Sequence, residues 1–211
     1  MSDHDEYSQS VIHLLAAEPS GKVSADVIAP IDQSILVSEV AALPDSCFMA
    51  SLGGFDAYLA TASQIPNVLN EIGRLREITF RAVGEGTGKA LDLDAYDQTY
   101  LHLFLWHRED TAVAGAYRLG LTDVLLKQGG PQALYTSTLF DFASGFWPEI
   151  DPSLELGRSF VAQAYQKSMH PLSLLWRGIG TFVSRNPLYS RLFGPVSICL
   201  LYTSPSPRDR G

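Results

Sequence analysis

The sequence predicts a mixed α/β (α+β) fold, a central mixed sheet flanked by helices, and three observations carry the prediction. Strand-like runs come in hairpin-linked pairs. Amphipathic runs of helical period stand between and after the pairs. The last two strands are joined by a helical crossover.

Taken in order, residues 1–45 are acidic and weakly patterned. The segments "VIAP" and "ALPD" punctuate them like linker sequence, so an extension that packs loosely is expected. "CFMASLGGFDAYLA" reads as two short strands turning at Gly53-Gly54. A helix starts at Pro66, a residue suited to the first helical position, with Val68, Ile72, Leu75 and Ile78 or Thr79 on one face. "VGEGTG" stops it, and "KALDLDAYDQT" is an acidic loop. "YLHLFLWH" is apolar on both faces, as a central strand is. "REDT" turns the chain into the partner strand "AVAGAYRLGL". A helix over 121–128 ends at Gly129-Gly130, and "STLFDFA" is expected to be short and helical. "SLELGRSFVA" is a strand and "PLSLLWRGIGTFVSR" a helix, with Leu172, Leu175, Trp176, Ile179 and Phe182 on one side. "RLFGPVSI" is the last strand. After Ile198 the character changes abruptly, and "CLLYTSPSPRDRG" reads as a non-native tail. The expected division is therefore an extension or linker over 1–45, a domain over 46–198 that is incomplete at its C-terminal end, and a tail over 199–211.

Composition narrows the function classes. The chain is 46% hydrophobic and 18% charged, ordinary for a globular protein. The start "MSDHDEYSQS" is not a signal peptide, and Cys47 and Cys199 lack metal spacing, so the expected location is cytoplasmic, or peripheral to a membrane. A net charge of −8 argues against nucleic acid as a partner. The charge is uneven, however. Residues 1–60 hold nine Asp/Glu and one Lys, whereas 156–208 hold six Lys/Arg and no acid. Such a basic stretch is either a solvated face or a surface for an anionic partner.

Several chemistries lack their motifs. "GEGTGKA" fails as a phosphate loop, with Val83 where a glycine is needed and Ala90 where Ser or Thr is needed. "DLDAYD" fails as a calcium loop, with Asp97 in place of glycine and Leu103 in place of glutamate. The five histidines form no metal-type pair and no His-x4-Asp motif. No nucleophile elbow is present. No metal and no permanently bound cofactor is expected.

What remains is a set of charges beside the strands: Asp94, Asp97, Arg118, Glu155 and Arg158. Within "LELGRSFV" a glutamate and an arginine interrupt a run that should be buried. Burying a charge is costly unless it is paired or used. Both readings stay open on the residues alone: a structural network, such as Asp97 with Arg118, or a working site.

Together, Asp94-x-x-Asp97, "AVAGAYRL", "LELGRSFV" and "LLWRGIG", with "EIGRLREITFRAVGEGTG" and "RLFGPVSI", resemble a branch of the GNAT-fold N-acyltransferases. This is the branch of ornithine-lipid and N-acyl amino acid synthases, often labelled hemolysin-like and distantly related to acyl-homoserine-lactone synthases. The resemblance covers roughly residues 55–198. It implies a GNAT-like sheet and transfer of a fatty acyl group from an acyl-carrier-protein or coenzyme A thioester, as co-substrate, to an amine such as an amino acid. The coenzyme A pyrophosphate loop Q/R-x-x-G-x-G/A is not evident after "VAQAYQKSMH", which favours the acyl carrier protein as partner, as does the basic stretch. The resemblance further implies Glu155, Arg158 and Arg118 as catalytic residues and Asp94, Asp97, Arg76 and Phe80 as substrate-binding ones. Glu155 is the candidate base. Backbone N–H groups of 156–160 are candidate oxyanion donors, and the arginines either orient Glu155 or grip an acceptor carboxylate. The competing reading is a non-catalytic fragment or accessory module of a larger lipid-handling protein.

Overall fold

The computed structural model describes residues 24–143 and 145–195. The expected tail over 199–211 and the first 23 residues lie outside that range. The first element is a helix inside the stretch read as an extension. This helix, α1 (Gln33–Ala41), opens with the Asp32 side chain accepting from Ser34 N–H. It is packed rather than loose, with Leu36 and Val40 in the core. Its Glu39 carboxylate accepts the N–H groups of Asn67 (3.1 Å) and Val68 (2.6 Å). Those donors sit in the first turn of the next helix, where no intrahelical partner exists for them.

The hairpin of β1 (Phe48–Leu52) and β2 (Phe55–Thr61) turns on Gly53 and Gly54. Both have positive φ, +54° and +87°, which glycine adopts without steric cost. Next, α2 (Pro66–Arg81) begins with its proline in the first turn, as expected. The second hairpin, β3 (Leu101–His107) and β4 (Ala112–Leu121), follows the acidic loop. After α3 (Thr122–Gly129) and a short α4 (Phe146–Ile150) come β5 (Leu154–Val161), α5 (His170–Arg185) and β6 (Leu192–Phe193).

The six strands form one sheet in chain order, β1 to β6. All neighbours are antiparallel except β5 and β6, which α5 joins as a crossover and which pair in parallel at Leu154↔Leu192 and Glu155↔Phe193. Strand alternation explains why β3 carries apolar residues on both faces. Phe104 and Trp106 pack with α1 and α2, while Leu103 and Leu105 pack with α5 on the other face. This is the predicted mixed sheet flanked by helices. A third cluster, Tyr100, Leu125, Leu134 and Trp147, fills the end where β3, α3 and α4 meet.

Two local expectations change. The run "STLFDFA" is not a helix: a 3-10 turn covers Tyr135–Thr138 and the helical turn comes later, at α4. The N–H groups of Tyr135 and Thr136 are bonded to the side chains of Tyr100 and Glu155, which fixes this segment against the sheet. On α5, Leu175, Ile179 and Phe182 are buried as expected, but Leu172 and Trp176 are exposed. The inward stripe runs through Leu174, Leu175, Gly178 and Ile179 instead, one step around the helix. No helix among the described residues is long and apolar enough to cross a membrane.

Candidate active site

The acidic loop is shaped by its own carboxylates. Asp94 accepts from the N–H groups of Tyr96 and Asp97, while Asp97 accepts from Asp94 N–H (2.8 Å). This reciprocal cap makes the short turn Ala95–Gln98 and aims Asp97 inward. There Asp97 takes two bonds from the Arg76 guanidinium of α2, at 2.9 and 3.2 Å. Arg76 also bonds Asp92, through side chain (3.1 Å) and carbonyl. Burial alone would raise the Asp97 pKa; the Arg76 charge and hydrogen bonds outweigh it and hold the carboxyl below its ordinary range.

Arg118 projects from β4 into the same loop. Its Nη1 bonds Asp94 (2.6 Å) and lies 3.3 Å from Asp97. Its guanidinium stacks on the rings of Tyr135 (5.0 Å), Tyr100 (5.1 Å) and Tyr96 (5.7 Å). Across the β3–β4 ladder sits His102, whose Nε2 meets the Asp97 carbonyl at 2.8 Å. Burial lowers the His102 pKa, so the ring is neutral and Nε2–H donates.

This sets a pH dependence. A histidine whose folded pKa is depressed takes up its proton in the unfolded chain first. Its stabilising contribution is whole above the unfolded value, about 6.5, and is lost as pH falls toward the folded value. We expect the unfolding free energy, from urea melts, to fall between about pH 7 and 5, and His102→Gln to remove most of that slope. An unchanged slope in the variant would assign it elsewhere. The Asp97 contribution is lost only further down, as pH falls below about 4.

Glu155 is 1% exposed. One carboxylate oxygen accepts the Tyr100 hydroxyl and the other accepts Thr136 N–H (2.6 Å). The Tyr100 oxygen in turn accepts Tyr135 N–H at 2.9 Å. Burial, then the neighbouring Glu155, pushes the Tyr100 pKa far up, so its O–H keeps its proton and donates. Gly120 pairs with Glu155 across the β4–β5 ladder, and a Cβ there would overlap the Tyr100 ring. Glycine at 120 is thus what lets Tyr100 lie over the strand and reach the carboxylate.

Arg158 marks a break in β5. Ala116 pairs with Phe160 and Arg118 with Gly157, so Tyr117 alone faces both Arg158 and Ser159. This is a β-bulge with Arg158 at φ +51°. Arg158 stands 3.5 Å from Asp92 and stacks on Tyr135 (5.4 Å) and Phe80 (6.0 Å). Beside the bulge opens a cleft of about 560 Å³, whose lining includes Phe80, Glu85, Tyr117, Tyr135, Arg158, Ser159 and Pro195.

The predicted residues thus converge, but in two layers. Arg158 and Phe80 line the cleft. Asp94, with its side chain 25% exposed, is intermediate. Arg76, Asp97, Arg118 and Glu155 are buried behind it. Arg76 is saturated by Asp92 and Asp97 and sealed from solvent, so its contacts are those of a clamp on the loop. Neither arginine is bonded to Glu155, the alternative in which they orient it. Arg118 pairs with Asp94 and Asp97, and Arg158 with Asp92. Sequence reasoning missed Tyr100, Tyr117, Tyr135 and Ser159, and it passed over Asp92 except as part of a failed calcium loop. For Tyr100 the one signal was its place directly before the strand, joined to the acidic loop.

Residues 75–177 match the model of the acetyltransferase (GNAT) domain. The chain is 38% identical over 184 residues to a glycine N(alpha)-acyltransferase of Phocaeicola vulgatus, covering 82% of this chain and 56% of the relative. A glycine N(alpha)-acyltransferase of Bacteroides thetaiotaomicron is 37% identical over 184 residues, covering 82% and 54%. The chain therefore spans little more than half the length of these relatives. The matched segment holds Arg76, the aspartate loop, Arg118, Glu155 and the bulge at Arg158, and the mixed sheet flanked by helices to which it contributes β3, β4 and β5 is a GNAT fold.

Proposed function

We propose that the chain catalyses N-acyl transfer, moving a fatty acyl group from a thioester to the amino group of an amino acid such as glycine. The carbonyl carbon gains a C–N bond and loses its C–S bond; the amine gives up a proton, and the departing thiolate takes one. The observation that carries this reading is that, except for Pro195, the residues lining the cleft fall within the matched segment. The glycine acceptor rests on the names of the two relatives.

The amine attacks only when neutral, so a proton must leave the site. Glu155 is the sink: each of its oxygens keeps a lone pair beyond the bond it already accepts. Because it is buried, the proton reaches it through water or along the Tyr100 hydroxyl. The tetrahedral oxyanion forms beside the bulge, where the extra residue drops out of the ladder and leaves backbone N–H free to donate.

A carrier protein suits the donor better than free coenzyme A. Lys167, Arg177, Arg185 and Arg191 are all exposed, in a stretch of sequence without an acidic residue, and are available to an acidic partner. The amide product of a long-chain donor is a lipid, which fits a cytoplasmic enzyme working at a membrane surface.

The test is direct. The chain is incubated with long-chain acyl carrier protein or acyl coenzyme A and a panel including glycine and ornithine, and products are read by mass spectrometry. Acylglycine is the expected product, formed faster from the carrier-protein donor. Absence of any acylated amine with either donor would remove the reading and leave the non-catalytic module in its place.

A further inference from the structure

Five buried side-chain polar atoms among the described residues have no hydrogen-bond partner. All five belong to four residues of this site: Nε and Nη2 of Arg118, Nε of Arg158, and the hydroxyls of Thr136 and Ser137. Buried polar groups are nearly always satisfied, so a cluster of orphans points to a ligand or to ordered water. All five can donate, three of them from guanidinium groups, and guanidinium is shaped to bind a carboxylate by paired bonds.

The four residues meet at one ring. Arg118 and Arg158 both stack on Tyr135, and Thr136 and Ser137 follow it in the turn. Of the two guanidiniums, Arg158 lines the cleft. Arg118 is 1% exposed and lies against the Tyr135 ring, which itself lines the cleft. The cluster carries no positive excess: Arg76, Arg118 and Arg158 are matched by Asp92, Asp94 and Asp97. A polyanion such as a phosphate gains little there. A ligand with a single carboxylate and an amino group suits it, since Glu85 lines the cleft and Asp94 pairs with Arg118.

We propose that the acceptor is recognised by its carboxylate, on the free donors of Arg158 and Arg118 at Tyr135. The substrate class is then α-amino acids and not amines in general. This rests on the N-acyl transfer reading and adds the determinant of acceptor choice. It selects between the two roles the sequence left open for these arginines, since neither is bonded to Glu155.

The test compares glycine with glycinamide and ethanolamine, which keep the amine and lack the carboxylate. Glycinamide has the less basic amine, so near neutral pH more of it than of glycine is in the neutral form that attacks. A site that leaves buried donors unpaired rejects such analogues strongly, and we expect kcat/KM for glycine to exceed both by about 100-fold or more. In Arg158→Gln that preference should collapse to within about 10-fold, because kcat/KM for glycine falls far more than that for ethanolamine, a pattern that mere loss of structure does not give. The wild-type series decides alone if the variant does not fold. Glycinamide acylated as well as glycine would overturn the proposal while leaving N-acyl transfer standing. If no amine is acylated, the arginine Nε–H resonances of 15N-labelled protein decide. Shifts with glycine and not glycinamide keep the carboxylate site, and no shift with either overturns it.

Discussion

Replacing Arg76 by methionine is expected to destabilise the fold by about 3–5 kcal/mol, the cost of removing one partner from a buried ion pair. Arg76 is 1% exposed, and its bonds to Asp92 and Asp97 tie α2 to the loop that carries the candidate site. Without it, Asp97 keeps Arg118 at 3.3 Å but loses its two closer charged bonds, and Asp92 keeps only the longer contact to Arg158. The check is urea unfolding followed by circular dichroism, where the midpoint should drop with the slope unchanged. A loss below about 1 kcal/mol, the range of an exposed pair, would show that the clamp contributes little. Adding Asp97→Asn should recover part of the loss, because it also removes a carboxylate left short of partners.

Glu155→Gln is expected to lower kcat/KM for acyl transfer by about 100-fold or more, the scale on which a positioned base contributes. The substitution keeps shape and one acceptor oxygen, but its amide N–H₂ meets either the Tyr100 hydroxyl or Thr136 N–H, both of which donate to the glutamate. The stability cost should be about 1–3 kcal/mol. Tyr100→Phe removes the same hydrogen bond from the other side. If the two act as one relay, the double variant should be hardly worse than either single one. A Glu155→Gln enzyme with more than about a third of wild-type activity would exclude the glutamate as the proton sink, since loss of a working base costs at least about 100-fold. It would then serve only to hold the 135–138 turn.

Much of this was legible in the residues. Gly53-Gly54 marked the first hairpin, Pro66 opened α2, and the continuous apolar run of "LHLFLWH" announced a strand covered on both faces. Those signals are local, because hairpin φ angles, the missing proline N–H and side-chain alternation act over a few residues. The failures share a cause. "STLFDFA" is apolar enough for a helix, but its neighbouring backbone donors are captured by Tyr100 and Glu155, 35 and 19 residues away in sequence. Leu172 and Trp176 fall by helical spacing on one side with Leu175, Ile179 and Phe182, yet the face that α5 presents is set by its register on the sheet.

By itself, the sequence determined the two hairpins, the helix after the first of them, the helical crossover before the last strand, and that awkward charges gather at Asp94, Asp97, Arg118, Glu155 and Arg158. Only the tertiary structure decided how they pair. It gave Asp97 to Arg76 as well as Arg118, gave Glu155 to a tyrosine instead of an arginine, and left guanidinium nitrogens free at Tyr135. The reason is physical. Charge pairing depends on distances of a few ångströms between groups far apart in the chain, and a bulge of one residue at Arg158 is enough to choose which side chain faces the cleft.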